Sequence, residues 1–430
     1  METICAISSG ERGAIGIIRV SGTDAINIAD KIFIAQSGSS LTQAKGYTVH
    51  YGTICNNDEP LDDVIVIVYR APHSYTGEDS VEIMCHGSSY IQQTILELLM
   101  QNGCHMAQPG EYTRRAFLNG KMDLSQAEAV ADLISSSNQA THRMAISQMR
   151  GGFSAKLQEL RQQLLQMTTL LELEIDFSEE DVEFADRQQL MQLVQSVDST
   201  LSNLVDSFRA GNAIKNGIPV AIVGEPNVGK STLLNQLLHD DRAIVSEVRG
   251  TTRDTIEDTI TIGGILFRFI DTAGIHDTAD IVESMGIERT KRKVREAQII
   301  IMMCEPGVAY PDIEANDDQF IIKIENKTAT FQAISGLGIP ELEQQLLDHA
   351  RQLQHTDSDI IVTNLRHVEA LRIALQSIRT VKHQLTTPHT SADIIALDLH
   401  QCIDSLAEIT GTITSDDTLH SIFKNFCIGK

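Results

Sequence analysis

Tryptophan is absent from this chain, and Phe, Trp and Tyr together make up 4% of its 430 residues. A broad aromatic surface on which nucleobases stack is therefore not available. Positive charge is also scarce. Lys and Arg number 34 against 58 Asp and Glu, a formal net charge of −24. Such a chain does not hold nucleic acid by whole-surface electrostatics, although a local basic patch or a basic partner could do so. The seven cysteines are an odd number and none stands at C-x-x-C spacing. They read as reduced thiols of a cytoplasmic protein, not as a disulfide framework or a zinc site. Cys85-His86 and Cys104-His105 are adjacent pairs, but no second pair follows at metal-ligand spacing. No apolar run reaches the ~18 residues that a membrane span requires. The N-terminus lacks the basic-then-apolar order of a secretory leader.

What is present is a 42% hydrophobic content, enough to fill ordinary cores. At roughly 100–200 residues per domain, two to four domains are expected. Apolar runs at Ala14–Val20, Val64–Tyr69 and Val81–Cys85 read as strands, and Tyr90–Met100 has helical spacing. From about Leu124 to Arg209 the period becomes helical, with Leu157, Leu160, Leu164, Leu171 and Ile175 at three- and four-residue steps. The stretch Glu172 to Asp186 carries eight acids and no base, and reads as a solvated helix end and loop. Ala210–Gly217 is a small, polar break. Strand–turn–helix alternation then runs to about residue 350. Beyond His355 the helical period returns, through Leu365, Val368, Leu371, Leu375 and Ile378 and then Ile394 to Leu406. Two helical stretches flanking an α/β segment predict one helical domain with another domain inserted into it.

Pro219–Val223 is a compact strand signal that runs directly into Gly224-Glu225-Pro226-Asn227-Val228-Gly229-Lys230-Ser231, followed by a helix-like Thr232-Leu-Leu. This is a phosphate-binding loop in its required context, strand before and helix after. The glycines let backbone N–H groups face phosphate oxygens, and the helix N-terminus adds partial positive charge. Lys230 supplies a point charge to the β- and γ-phosphates, and the Ser231 hydroxyl can ligate Mg²⁺. Further on, Gly263-Gly264 separates two strand-like runs, a tight-hairpin signal. The second run ends in Asp271-Thr272-Ala273-Gly274, an acid for the Mg²⁺ shell and a glycine N–H for the γ-phosphate. Upstream, Gly250-Thr251-Thr252-Arg253-Asp254 offers hydroxyls that could close over the metal. Base recognition departs from the usual N-K-x-D string: here it reads Asn326-Lys327-Thr328-Ala329, without the Asp. The passage from Cys304 to Asn326 is also short for a full strand–helix–strand unit. Arg289 to Arg295 is the densest basic run and reads first as a solvated helix face, second as a contact for nucleic acid or a partner.

The strings ETICA, GAIGIIRVSG, SYTGEDSVEI, CHG, PGEYTRRAFLNGKMDLSQAEAVADLI, LELEIDFSEEDVEF, GEPNVGKSTLLN, GTTRDT, DTAGI and the terminal SDDTLHSIFKNFCIGK together resemble the tRNA-modification GTPase family MnmE, also called TrmE. The resemblance covers nearly the whole chain. It implies a multidomain α/β plus all-α protein: an N-terminal folate-binding and dimerisation domain (1–118), a helical domain in two parts (119–215 and 353–430) and an inserted Ras-like P-loop G domain (216–352). It implies a cytoplasmic, homodimeric GTPase working with an FAD-dependent partner, MnmG, on tRNA. The joint product is an aminomethyl-type (carboxymethylaminomethyl) group at C5 of the wobble uridine, with the one-carbon unit taken from a formyl- or methylene-tetrahydrofolate. Carried over residue by residue, Arg19, Glu82, Lys121 and Lys430 would bind folate. Asn227, Val228, Gly229, Lys230, Ser231, Thr232, Ser246, Thr251, Thr252, Asp271, Thr272, Ala273, Gly274, Asn326 and Lys327 would bind GTP. Asn227, Ser246, Val248 and Thr251 would hold K⁺, and Ser231 and Thr252 Mg²⁺. Lys230 and Glu283 would be catalytic, Glu283 by positioning the attacking water. Cys427 reads as a prenyl site badly, since Gly429 and Lys430 follow it; a buried structural thiol or a functional thiol at the folate site remain. Ser88 stands where a second glycine usually follows CHG. The competing function is a folate- or partner-binding scaffold whose nucleotide domain has decayed.

Ala329 gives the sequence its own test. Charge-assisted hydrogen bonds are worth roughly 1.5–3 kcal/mol each, and about 1.4 kcal/mol is a decade of affinity. GTP and ATP should therefore bind this chain with similar affinity. Ala329→Asp should tighten GTP at least ~10-fold and leave ATP unchanged in a side-by-side titration. A native preference for GTP of several orders of magnitude would show that another group reads the base.

Overall fold

The computed structural model describes residues 2–10, 13–56, 59–136, 138–176, 187–240, 258–270, 294–316, 319–354, 360–387, 390–424 and 426–429. They form two compact units. The first comprises Met1–Ile134, Gln148–Lys156 and Ala407–Lys430, and the second Ser135–Ser147 and Leu157–Leu406.

The first unit is built on a seven-stranded sheet. Its strands are β1 (Ile4–Ile7), β2 (Ile15–Ser21), β3 (Phe33–Ala35), β4 (Thr48–Asn56), β5 (Glu59–Tyr69), β6 (Ser80–His86) and β7 (His105–Met106), in the order β3-β4-β5-β6-β2-β1-β7. All neighbours are antiparallel except β1 and β7. Helices α1 (Ala25–Ile32) and α2 (Ser89–Gln101) cover one face. Ile26, Ile28, Ile95 and Leu99 there pack on Ile18, Val20, Val66, Val81 and Ile83. The period of two turns the alternate residues to the other face, where Ile15, Ile34, Val49, Tyr51 and Ile65 are exposed. Antiparallel sheets normally show water a polar second face; this one is largely apolar.

Helices α3 (Glu111–Leu118) and α4 (Leu124–Ser135) follow. Leu124 and Ala127 share a small core with Leu419 and Phe423, and Phe117, Ile422 and Phe426 pack against it. The end of the chain thus folds with its beginning. The last residues dock on the sheet: Ser8 Oγ donates to the Gly429 carbonyl at 3.1 Å and Gly110 N to the Cys427 carbonyl at 3.3 Å.

The second unit contains most of the helical layer and the phosphate-loop sheet. The layer includes α5 (Gln139–Met149), α6 (Gly152–Asp176) and α7 (Arg187–Asn216). The sheet comprises β8 (Ile218–Gly224), β9 (Asp258–Ile262), β10 (Ile265–Phe269), β11 (Ile299–Cys304) and β12 (Phe320–Glu325), in the order β12-β11-β8-β10-β9. Among the described strands only the β9–β10 hairpin is antiparallel, turning through Gly263 (φ 55°) and Gly264 (φ 81°) as the glycine pair predicts. Helices α8 (Lys230–Asp240) and α9 (Ile339–Gln354) supply Leu233, Leu237, Leu342 and Leu346 to one face. On the other, β11 and β12 are joined through 305–319 with no helix among the described residues. Tyr310, Ile313 and Ala315 of that connection lie against Ala221, Ile300 and Met302 instead. A parallel crossover normally carries a helix, so the short passage seen in the sequence is a real economy. Helices α10 (Leu365–Thr386), α11 (Ala392–Thr410) and α12 (Asp416–Phe423) complete the chain.

The helical period is met by buried Leu157, Leu160 and Leu164 on α6, Val197 and Leu201 on α7, and Leu371 and Ile378 on α10. Of the acids at 172–186, Glu172 has a described side chain and accepts from His400 Nε2 at 3.1 Å. One expectation fails. Ala210–Asn216 is not a break but the last two turns of α7, which stops at Gly217 (φ 83°). The glycine that suggested a break, Gly211, answers to packing: a Cβ there would lie 2.1 Å from the Val362 carbonyl oxygen. Val362 N donates to Ser207 Oγ at 3.1 Å, so this segment is held against the helix.

Gly211→Ala separates helix propensity from packing. Propensity alone favours Ala by about 1 kcal/mol. Overpacking against backbone costs about 1–3 kcal/mol and should win. The expected outcome is a lower midpoint in thermal unfolding; a raised midpoint would show that the 360–362 segment yields freely.

Candidate functional site

The phosphate loop lies at the carboxyl end of β8, between strand and helix. Gly229 has φ 103° and Asn227 φ 65°, so two residues in three adopt left-handed backbone and turn the chain back on itself. A Cβ on Gly224 would lie 2.5 Å from the Met303 carbonyl oxygen, so neighbouring β11 also demands glycine there. Lys230 Nζ donates to the carbonyls of Gly224 (2.8 Å) and Glu225 (2.7 Å), folded over the loop it belongs to. Ser231 and Thr232 open helix α8, and Asn227 is exposed at the loop's tip.

Asn326 ties this loop to the rest of the site. It is 4% exposed, just beyond β12. Its Nδ2 donates to the Val228 carbonyl at 2.8 Å, and its Oδ1 accepts from Ala333 N at 3.0 Å. One buried amide therefore spans the phosphate loop and the turn before α9, with both ends satisfied. Nδ2 also occupies the space where a Cβ on Gly229 would sit, 2.4 Å away, so the two positions fit as a pair. Lys327 follows with φ 65° and forms an ion pair with Glu305. Position 329 falls in a tight turn: Thr328 N donates to the Phe331 carbonyl at 3.0 Å, and Thr328 Oγ1 accepts from Phe331 N at 3.0 Å. Ala329 is exposed, and no carboxylate is carried there. Ala333 and Glu305 escaped sequence reasoning because neither sits in a motif; the turn glycines Gly336 and Gly338 ahead of a helix were the available signal.

The second candidate site lies in the first unit. Arg19 on β2 and Glu82 on β6 are register partners, and the guanidinium donates through Nε (2.9 Å) and Nη2 (2.8 Å) to one carboxylate oxygen, Oε1. Both side chains are less than one-fifth exposed. Arg19 lies over the rings of Tyr75 (5.4 Å) and Tyr112 (5.6 Å). Tyr69 donates its hydroxyl to Glu82 Oε2 at 3.2 Å. Burial and then the Glu82 carboxylate push the Tyr69 phenol above its ordinary range, so it stays a donor. Arg19 is thus committed to Glu82, and is not the loose cation that a ligand's acidic tail would meet first. Lys121 Nζ donates to the Pro72 carbonyl at 3.0 Å, across the loop that carries Tyr75. Cys427 is exposed on the docked tail. The tyrosines were missed because no spacing rule joins residues so far apart in sequence.

Ser246, Val248, Thr251, Thr252, Asp271, Thr272, Ala273, Gly274, Glu283 and Lys430 lie outside the described residues, as does most of the basic run. No cluster of three or more metal-ligating side chains occurs among the described residues. No described helix is long and apolar enough to cross a membrane.

Known proteins resemble the chain over its whole length. The family profile described as GTP-binding protein TrmE N-terminus matches residues 3–121, and that described as MnmE helical domain matches residues 124–427. The tRNA modification GTPase MnmE of Bacteroides thetaiotaomicron is 52% identical over 463 residues, covering 100% of this chain and 99% of that one. Its counterpart in Parabacteroides distasonis is 52% identical over 462 residues, with 100% of both chains covered. That of Flavobacterium johnsoniae is 50% identical over 452 residues, with 97% of each covered.

Asn326→Ala should break the brace at both ends. It strands the Val228 carbonyl and the Ala333 N–H, each at a desolvation cost of about 1–3 kcal/mol. Triphosphate affinity should fall at least ~10-fold for GTP and ATP alike, read with fluorescent analogues. Undiminished affinity would mean that the loop holds its shape unaided.

Proposed function

The chain belongs to the MnmE family of tRNA modification GTPases, and on that premise we propose that it is the GTP-hydrolysing subunit of the complex that installs a carboxymethylaminomethyl-type group at C5 of the wobble uridine, using a formyl- or methylene-tetrahydrofolate. The observation that carries the nucleotide half is the buried Asn326 bridge, which keeps the phosphate loop curled and Gly229 in its left-handed state. A loop of this shape turns its N–H groups toward an anion.

When a nucleotide arrives, Lys230 exchanges the Gly224 and Glu225 carbonyls for the β- and γ-phosphates. The lysine ammonium then offsets charge that builds up as the γ-phosphoryl leaves. Asn227 and Ser231 carry neutral oxygen donors at the loop, which suits hard cations. Ser231 with Thr252 would hold Mg²⁺, and Asn227 with Ser246, Val248 and Thr251 would hold K⁺. Such cations neutralise phosphate charge, K⁺ in the place of an arginine finger. Glu283 would orient the attacking water.

In the first unit, Glu82 is the acceptor for the folate's pterin edge, with Arg19 holding its orientation and Lys121, held on the Pro72 carbonyl, as a further cation. Cys427 comes to the same unit on the docked tail, and Lys430 would add a cation for the folate. The exposed apolar residues of the open sheet face, Ile15, Ile34, Val49, Tyr51 and Ile65, fit a homodimer formed through this domain. The G domains would pair as well. We assign the domains to 1–118, 119–215, 216–352 and 353–430. The net charge of −24 fits a division of labour in which the FAD-dependent partner MnmG grips most of the tRNA, in the cytoplasm. Ala329 and the 305–319 connection, which has no helix among its described residues, favour a second reading, a scaffold whose nucleotide domain no longer hydrolyses.

Hydrolysis of GTP and ATP in K⁺ and in Na⁺ decides between the two readings. The GTPase reading expects turnover in K⁺ well above that in Na⁺, its loss in Lys230→Ala, and a lower kcat with little change in KM in Asn227→Ala. Absence of turnover under every condition would leave the scaffold reading.

A further inference from the structure

Four of the seven tyrosines in a chain without tryptophan stand around the Arg19–Glu82 pair. Tyr75 and Tyr112 are explained by the fold. Their hydroxyls meet Thr113 Oγ1 (2.9 Å) and the Arg19 carbonyl (2.8 Å), and Tyr112 is fully buried. Tyr47 is not explained in this way. It is 67% exposed, and its φ of 61° lies in the left-handed region. That region is unfavourable for a bulky residue and is held only where the surroundings impose it. Here Tyr47 N donates to the Val68 carbonyl at 2.8 Å. The Tyr47 ring meets the Tyr69 ring edge-on, with centroids 5.8 Å apart and planes at 85°. A glycine would satisfy this backbone better, yet the position carries a large exposed ring two steps from a carboxylate.

The acceptor count at Glu82 adds a second observation. A carboxylate offers about four lone-pair sites, two on each oxygen. Arg19 Nε and Nη2 both donate to Oε1, and the Tyr69 hydroxyl takes one place on Oε2. One place remains, on Oε2, beside the Tyr47–Tyr69 corner, whereas the edge of a 2-amino-4-oxo ring brings two donors, its amino group and the adjacent ring N–H. We propose that Tyr47 and Tyr69 form the aromatic wall of a ligand site for a flat 2-amino-4-oxo heterocycle, and that the Tyr69 hydroxyl competes with that ligand for Oε2 of Glu82. The heterocycle stacks on Tyr47 and presents its amino edge to Glu82, and the Tyr69 hydroxyl turns aside. This rests on the folate reading above and names the groups that set affinity and ring specificity within it.

The test is calorimetric titration of the full-length chain with 5-formyltetrahydrofolate, alongside thermal unfolding. Tyr47→Gly relieves the backbone and removes the ring. It should raise the unfolding midpoint while weakening the probe at least ~10-fold, a combination that a purely structural tyrosine does not give. Tyr69→Phe keeps the ring and removes the competing hydroxyl, and should tighten the probe at least ~3-fold. Binding within twofold of the unmutated chain in Tyr47→Gly, or no tightening in Tyr69→Phe, overturns the inference. Glu82→Ala separates the premise from the inference. If it abolishes binding and the tyrosine variants do nothing, the wall is wrong and the folate reading stands. If the unmutated chain binds no probe, the folate reading falls; if Glu82→Ala binds as well as the unmutated chain, the placing of the pterin edge at Glu82 falls; either outcome takes the wall with it.

Discussion

A single buried amide holds the candidate nucleotide site together. Asn326 lies at the end of β12 and reaches across β11 to the loop after β8, donating to Val228 and accepting from Ala333. Three parallel strands bring these loops to one end of the sheet, as open α/β folds do. Parallel pairing alone sets the loops at the same height; the amide fixes their distance. It also explains why residue 229 has no side chain, since the amide nitrogen fills that space. The brace is complete although the carboxylate three residues later is absent. Positioning the phosphate loop therefore does not depend on a carboxylate at position 329.

The first unit is organised by a different constraint. A sheet covered by helices on one side leaves its other side to be covered by something else or wetted. Here that side carries isoleucine, valine and tyrosine with an ion pair set among them. An Arg–Glu pair on a half-open face is costly to strip of water, and it persists because its partners are aromatic and hydroxyl groups that hold both ions in place. The C-terminal tail closes against the same unit through Gly110 and Ser8. A glycine is needed at 429, where a Cβ would lie 2.3 Å from the Ile7 carbonyl oxygen. The two ends of the chain are thus part of one structure, and the phosphate-loop sheet lies between them in sequence.

Much of this was legible in the sequence. The strand entering the phosphate loop, the glycine-paired hairpin, the leucine stripes of the long helices and the short passage after β11 each rest on local rules. Those rules need only a few neighbouring residues. The polar segment at 210–217 misled because small residues signal a break as well as close packing. The contact at Gly211 comes from residues 361 and 362, far along the chain.

The sequence by itself determined which elements form, which faces are apolar and where the glycine-rich loop turns between strand and helix, because periodicity, turn chemistry and a contiguous motif encode them. Only the tertiary structure decided that Arg19 faces Glu82, that four tyrosines gather around them, that Asn326 braces Val228 and Ala333, and that the tail returns to Ile7 and Ser8. The physical reason is common to all four. Strand register and loop closure set these pairings between residues remote in sequence, whereas composition and spacing reveal only which side of an element each residue takes.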